Sequence, residues 1–181
     1  MWTRVWFEQQ GFEGWKAFGE LTHDDLPKER GVYVVLTEPS GLVPEFLPDS
    51  VGGAHKRKPL TDNRANVEEN WQAGAEVLYL GMAGSIKGLH DRLWAYARQG
   101  RGFSAGHRGG RYVWQLPNSD RLTVAWRTTG EMDAHDVEDA LLSLYIETWG
   151  DRPFANLQDG YRFTPAEARE LLSGWLREAQ S

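Results

Sequence analysis

Two short apolar stretches, Gly31-Val32-Tyr33-Val34-Val35-Leu36 and Val77-Leu78-Tyr79-Leu80-Gly81, decide the fold of this 181-residue chain. Both are rich in β-branched and aromatic residues, and polar or turn-forming segments bound them. That pattern is typical of buried β-strands. We expect the two strands to pair as a hairpin with a long connection.

The connection between these strands, residues 37–75, is rich in proline, glycine, asparagine and charged residues. It is longer than an ordinary connection inside a compact domain, so it is either an insertion or a functional loop. A short helix is predicted within 63–73, ending near Trp71.

Periodicity and capping signals predict the remaining elements. Apolar residues at helical spacing indicate one helix, and an Asp N-cap with a glycine stop frames another. A Thr-Pro-Ala-Glu capping box opens the last helix. The predicted helices lie at 5–19, 86–99, 133–149 and from 164 onward, and the predicted extended segments at 112–116 and 122–126.

The mixture of strands and helices predicts an α/β or α+β domain. We divide the chain into an N-terminal extension over 1–29, a main domain over 30–160 with the insertion at about 37–75, and a C-terminal helix over 161–181 packed on that domain.

Composition narrows the classes of function. The chain has no cysteine, which excludes disulfides, thiolate metal sites and cysteine nucleophiles. No stretch approaches the roughly 18 apolar residues of a membrane span. The N-terminus carries charge early and does not resemble a signal peptide. We therefore expect a soluble, cytoplasmic protein with no membrane partner.

Charge is unevenly distributed along the chain. The formal net charge is −6, yet residues 84–111 hold six lysines and arginines against one aspartate, a local net charge of +5 that leaves −11 elsewhere. Such a basic segment is typical of a nucleic-acid contact, and a solvated helix face with a basic loop is the alternative.

Two charged residues lie on otherwise apolar helical faces. Arg92 shares a face with Leu89 and Tyr96, so its guanidinium must either extend to the solvent or meet an anion, which is an internal carboxylate or an external phosphate. Glu138 begins a similar apolar face that continues to Tyr145. There it either complements the positive end of the helix dipole or binds a metal such as Mg²⁺.

Five elements then follow one another in order: Gly31-Val32-Tyr33, Tyr79-Leu80-Gly81, the helix of Arg92, Glu138, and Pro153-Phe154-Ala155-Asn156. Together, over residues 30–157, they resemble the GIY-YIG nuclease family. The resemblance implies a small, mixed, mainly antiparallel sheet flanked by helices. It also implies hydrolysis of DNA phosphodiesters with Mg²⁺, for which Mn²⁺ can substitute.

The resemblance also implies a role for each residue. Tyr33 would lie near the attacking water, and Tyr79 would support that water or the scissile phosphate. Arg92 would contact the phosphate, Glu138 would hold the single metal ion, and Asn156 would steady the site.

Three features depart from the family pattern. The stretch over 34–78 is long, Tyr96 stands where many members have a histidine, and Glu138 lies 18 residues before Asn156, a wider gap than in minimal members. Glu147 is the other candidate for the metal-binding carboxylate.

Residues of the basic segment are expected to contact nucleic acid. Glycines in 106–111 allow backbone N–H groups to approach phosphate, and the arginines add charge; a plain turn with exposed arginines is the alternative. The remaining histidines have no zinc-ligand spacing. The expected contact residues are Lys87, Tyr96, Arg98, Arg101, His107, Arg108 and Arg111.

Three functions remain open. The first is a metal-dependent endonuclease that acts on DNA without an organic cofactor and uses a homodimer or two encounters to cut both strands. The second is a non-catalytic nucleic-acid-binding module with the same fold. The third is a protein-interaction domain, whose mark would be an exposed aromatic patch. Its candidate members are Trp2, Trp6, Trp15 and Trp175.

Overall fold

The computed structural model describes residues 1–105, 109–158 and 162–176, and within these ranges the chain forms an α+β fold with one four-stranded sheet and five α-helices. Short 3₁₀ turns cover His23–Asp25, Arg111–Gln115 and Ser119–Arg121. The elements are α1 (Arg4–Gln9), β1 (Glu13–Ala17), β2 (Gly31–Leu36), α2 (Arg64–Glu69), β3 (Val77–Ala83), α3 (Gly88–Gly100), β4 (Thr123–Thr128), α4 (Ala134–Trp149) and α5 (Pro165–Leu172).

The sheet has the strand order β1-β4-β2-β3, and every pair is antiparallel. The predicted pairing of the first two strands is confirmed, with β2 at the centre of the sheet and β3 at one edge. In their register Tyr33 faces Gly81, and Val35 faces Tyr79. The two tyrosines therefore lie on the same side of the sheet, two residues apart along the ladder.

Two glycines allow close packing on that side. A Cβ added at Gly31 would come within 2.4 Å of the Arg127 carbonyl oxygen and 2.7 Å of a Leu89 methyl, so α3 rests directly on β2. A Cβ added at Gly81 would lie 2.5 Å from the ring of Tyr33. Small residues at both positions thus let α3 and the tyrosine rings approach the strands.

The sheet separates two apolar cores. One lies between the sheet, α3 and the 3₁₀ turn at 111–115, and it includes Phe46, Leu60 and Val67 of the insertion. The other lies between the sheet, α1, α4 and α5. The insertion therefore buries its own apolar residues against the domain, which fixes its position relative to the sheet.

The predicted helix signals at the C-terminal half are confirmed. The Asp133 side chain accepts two backbone N–H groups at the start of α4, and Gly150 ends that helix in the left-handed conformation at φ 79°. Thr164 and Glu167 form the predicted capping box of α5, with Pro165 in its first turn.

Two predicted segments differ from the structure. The helix expected over 5–19 ends at Gln9, and the chain continues as β1, which pairs with β4. Residues 112–116, expected to be extended, belong mostly to the 3₁₀ turn Arg111–Gln115. Four consecutive side chains of that turn, 112–115, are buried together, which a strand with alternating faces does not favour.

The domain boundaries drawn from the sequence stay predictions, although β1 contributes an edge strand to the shared sheet and α5 packs on α4 through Ala168 and Leu172. Among the described residues, no helix has the length and apolarity that crossing a bilayer requires.

Candidate active site

A cleft of about 390 Å³ opens beside the β3 edge of the sheet, between α3 and α4. Four of the five residues predicted to be catalytic line it, and the fifth, Tyr33, lies directly behind Tyr79. The lining residues include Tyr79, Arg92, Arg111, Glu138, Asp139 and Asn156.

The two tyrosines form the floor of the cleft. Their ring centroids are 5.9 Å apart; Tyr33 is fully buried, while Tyr79 lines the cleft. Side-chain hydrogen bonds link the Tyr33 hydroxyl to both Arg92 and Tyr79. Burial raises the pKa of Tyr33, and the positive charge of Arg92 opposes that rise. Burial raises the pKa of Tyr79 still further. Both phenols are therefore protonated at neutral pH.

Arg92 extends from α3 toward the tyrosines and is half-buried. Its pKa is raised above the ordinary value of arginine, chiefly by Tyr33. Within the described ranges, its buried Nε atom has no hydrogen-bond partner. A guanidinium that lines a cleft is suited to bind an anion such as a phosphate oxygen.

Glu138 faces the cleft from the first turns of α4. Burial raises the pKa of its carboxyl to about 7, Asp139 adds to the rise, and Arg92 opposes it. Within the described ranges, no residue forms a hydrogen bond or ion pair with this carboxylate. The neighbouring Asp139 differs because Arg162 and His135 contact it at 2.8 and 3.3 Å.

A carboxylate in this position fits Mg²⁺. The described part of the chain has no cluster of three or more His, Cys, Asp or Glu side chains that could enclose a metal ion. Mg²⁺ does not require such a cage, because it commonly binds one or two carboxylates together with water and substrate phosphate oxygens. Glu138 is half-buried, borders open space and has no internal partner among the residues that the structure describes, so it can supply that one carboxylate.

Asn156 closes the outer edge of β3. Its side-chain oxygen accepts the Leu80 N–H at 2.9 Å, and its side-chain amide donates to the Leu80 carbonyl at 2.8 Å. The Ala155 N–H donates to the Leu78 carbonyl. Its side chain thus acts as a short substitute for another strand, and the steadying of the site by Asn156 stays a prediction.

Two residues expected to contact nucleic acid make internal contacts instead. Tyr96 is fully buried, and its hydroxyl donates to the Gly110 carbonyl at 2.8 Å. In this position it does not reach a phosphate, so its position does not support that expectation. The Arg101 guanidinium donates to backbone carbonyls of Phe18 and Leu21, which ties the end of α3 to the chain before β2.

The remaining expected contact residues are spread over the surface and the cleft. Lys87 is exposed and pairs with Asp91, and exposed Arg98 lies over the Phe103 ring. Arg111 lines the cleft. His107 and Arg108 lie outside the described residues. Of the described residues expected to contact nucleic acid, Arg111 is therefore the one that lines the cleft.

His135 and Asp139 also line the cleft and were not among the predicted site residues. They lie three residues before and one residue after Glu138, so the spacing along α4 brings His135 and Asp139 onto one side of the helix. That spacing was the available sequence signal. Asp139 is engaged by Arg162, which leaves Glu138 as the carboxylate without an internal partner in the described ranges.

The aromatic residues proposed for an exposed patch are mostly in the core. Trp2 and Trp175 are buried among the residues packed by α1, α4 and α5, and Trp6 and Trp15 are partly buried against them. This arrangement does not favour a protein-interaction surface at these side chains.

The chain matches no protein-family model, no curated protein and no solved structure in the three comparisons.

Proposed function

We propose that this protein is a metal-dependent endonuclease that hydrolyses DNA phosphodiesters, with Mg²⁺ as the natural ion and Mn²⁺ as a substitute. One observation carries the proposal: a phenol backed by a second, buried phenol, a guanidinium, and a half-buried carboxylate without an internal partner in the described ranges meet at a single cleft. Such groups can orient water, bind phosphate oxygens and hold a metal ion during phosphodiester hydrolysis.

Glu138 would hold the metal ion through its carboxylate. When bound, Mg²⁺ supplies positive charge at the scissile phosphate and the leaving oxygen. The ionised form of Glu138 is the one that binds, so a pKa of about 7 makes metal binding favourable above neutral pH and weaker below it.

Arg92 would bind a non-bridging phosphate oxygen. Its side chain lines the cleft and is hydrogen-bonded to Tyr33, which would hold the positive charge where negative charge grows in the transition state. A fixed donor of this kind needs no reorganisation during the reaction.

Tyr79 would orient the attacking water. Its side chain lines the cleft and is hydrogen-bonded to Tyr33, whose oxygen also interacts with Arg92. The water oxygen forms a bond to phosphorus, the bond between phosphorus and one bridging oxygen breaks, and the proton released by water ends on that leaving oxygen through the solvent. Tyr79 would thus be the tyrosine nearest the attacking water, and Tyr33 would support it through their hydrogen bond.

Substrate and location follow the same proposal. DNA is the expected partner, a homodimer is one way in which a single-site domain cuts both strands, and the absence of cysteine keeps the cytoplasm as the expected compartment. No organic cofactor is required by this chemistry.

The test is cleavage of supercoiled plasmid DNA with Mg²⁺, with Mn²⁺ and with a chelator. The wild-type protein is expected to nick the plasmid with either ion and not with the chelator. Glu138→Gln is expected to lower the rate by roughly a thousandfold, on the scale of losing a group that holds the catalytic ion.

Glu147→Gln is the matched control, because Glu147 lies on the same helix, pairs with Arg169 at the surface and does not line the cleft. It is expected to cut at the wild-type rate. Equal activity of Glu138→Gln and wild type would remove Glu138 from the mechanism. Loss of activity in Glu147→Gln alone would indicate that Glu147, and not Glu138, binds the metal ion.

A non-catalytic nucleic-acid module is the second candidate, and the complete burial of Tyr33 is the observation that favours it. It predicts salt-sensitive DNA binding with no nicking under any metal condition, so the same preparation separates the two functions.

A further inference from the structure

Arg111 borders the cleft, and a residue of the insertion orients it. The Arg111 Nη2 atom donates to the Asp62 carboxylate at 2.6 Å across 49 residues of sequence. No other hydrogen bond of this guanidinium is found within the described ranges, and its side chain is only partly exposed. The guanidinium is thus fixed at one nitrogen, and its other nitrogens can donate into the cleft.

Asp62 is itself rigidly held. Its second carboxylate oxygen accepts the Asn63 N–H at 2.9 Å and the Asn66 amide at 3.2 Å. The fully buried Gln115 accepts the Asp62 N–H at 2.7 Å and donates to the Asp62 carbonyl at 3.1 Å. Burial alone would raise the pKa of Asp62, but Arg111 and the asparagines together hold that pKa below its usual value.

The backbone just before Arg111 is held by a buried tyrosine. The Tyr96 hydroxyl donates to the Gly110 carbonyl, and Tyr96 lies fully buried against Tyr79 with ring centroids 5.9 Å apart. Arg111 therefore has its main chain anchored to the tyrosine floor of the cleft and its side chain anchored to the insertion. This double anchoring pre-organises a positive charge at the cleft wall.

We propose that Arg111 binds a DNA phosphate next to the scissile one, and that Asp62 of the insertion is a positioning residue that sets the Arg111 guanidinium for that contact. The proposal rests on the proposed nuclease function and gives the insertion a part in substrate binding. A planar guanidinium held at one nitrogen by a carboxylate retains the donors that a phosphate oxygen accepts.

The experiment measures binding without catalysis. Affinity for a short fluorescein-labelled DNA duplex is determined by anisotropy in chelator over a series of salt concentrations. Arg111→Met is expected to weaken binding and to lower the salt slope by about one phosphate contact. Asp62→Asn is expected to weaken binding about three- to tenfold, because the guanidinium loses its orientation, and Asp62→Glu is expected to recover most of the loss.

Two further variants make the result specific. In the Arg111→Met background, Asp62→Asn is expected to have no added effect, which is the signature of two residues acting as one unit. Glu68→Gln breaks the exposed Arg64–Glu68 pair on α2 of the same insertion and is expected to bind as wild type does. Melting temperatures of all variants identify any that lose the fold.

Cleavage kinetics with Mg²⁺ supply a second readout. Asp62→Asn is expected to raise KM by a similar factor and to leave kcat within about twofold, since Asp62 does not touch the reacting atoms. Unchanged or tighter binding by folded Asp62→Asn would overturn the proposal, as would a loss of equal size in the Arg111→Met background. If the wild-type protein never cleaves DNA but the variants bind DNA as expected, the nuclease function is wrong and the proposed role of Arg111 and Asp62 in binding stands.

Discussion

The two edges of the sheet each carry a carboxylate, and the two carboxylates have opposite electrostatic environments. At the β1 edge, Asp25 pairs with Lys16 and accepts hydrogen bonds from Thr22, and these contacts lower its pKa to about 2. At the β3 edge, burial raises the pKa of Glu138 to about 7. The first edge has its charge neutralised internally, whereas the second retains an ionisable group that an external cation can stabilise.

Arg92 lies at the β3 edge and Lys16 at the β1 edge. Substituting each in turn is expected to give the largest difference in cleavage activity between the two edges. Arg92→Met is expected to lower kcat by roughly 10²–10³-fold, because a fixed donor to the phosphate is lost. Since Arg92 also lowers the pKa of Glu138, the acid limb of the pH–rate profile should move to higher pH. Plasmid nicking over a pH series measures both effects.

Lys16→Met is the control at the other edge. It is expected to leave kcat unchanged and to let the Asp25 pKa rise, because the Lys16 hydrogen bond is the largest cause of its depression. A similar loss of cleavage in both variants would mean that the two edges do not differ in function.

The second prediction concerns the closure of the β3 edge by Asn156. Asn156→Ala leaves the Leu80 N–H and carbonyl without their side-chain partners. It is expected to lower the free energy of unfolding by about 2 kcal/mol, the usual cost of stranded buried polar groups. Urea denaturation measures the change. Asn70→Ala, which removes an exposed contact to the Asn66 carbonyl, should cost much less.

The third prediction is that the uncompensated carboxylate destabilises the protein. The folded-state pKa of Glu138 is raised from 4.5 to about 7, so the folded chain holds this proton more tightly than the unfolded chain. Stability is therefore complete below pH 4.5 and falls as the pH rises toward 7. Glu138→Gln is expected to gain about 2 kcal/mol at pH 8 and almost nothing near pH 4.5, without metal.

Asp25→Asn should show the reverse pH dependence. The Asp25 pKa is lowered in the folded state, so its contribution is present above pH 3.8 and disappears as the pH falls through about 2. The variant should thus be less stable than wild type at neutral pH. Denaturation curves at pH 8, at pH 4.5 and near pH 2 compare the edges directly, because the Asp25 contribution is lost only as the pH falls through about 2. A gain in stability at pH 8 in both variants would contradict the assignment of environments.

The smallest expected effect is stabilisation by the metal ion alone. Millimolar Mg²⁺ is expected to raise the melting temperature of wild type by about 2–4 °C at pH 8, by binding the folded state only. Glu138→Gln should show no rise, and Asp25→Asn should show the full one. An equal rise in all three proteins would indicate that Mg²⁺ binds elsewhere.

The sequence predicted much of the fold because the relevant signals are local. The β2 and β3 stretches were recognised from composition, and the ends of α4 from Asp133 and Gly150. The 3₁₀ turn at 111–115 was missed because its aromatic, β-branched composition also suits a strand. Its conformation follows from the burial of the four consecutive side chains at 112–115, and that burial depends on distant parts of the chain.

The candidate site was predicted less completely than the fold. Arg92 and Glu138 were predicted site residues because they are charged residues on apolar helical faces, and both line the cleft. The sequence could not tell that Tyr33 lies behind Tyr79, or that Tyr96 is turned inward to Gly110. Those positions depend on how α3 packs on the sheet, and packing is set by the shapes of many side chains together.

The sequence by itself determined β2, β3, β4, the ends of α4 and the order of the charged residues along the chain, since each follows from neighbours a few positions away. Only the tertiary structure decided which charges are neutralised. Asp25 and Glu138 are both acidic residues near a helix start, yet Asp25 pairs with Lys16 and Glu138 lines the cleft. Asp62 reaches Arg111 across 49 residues. Charge interactions depend on distance and desolvation in space, and the linear sequence contains neither.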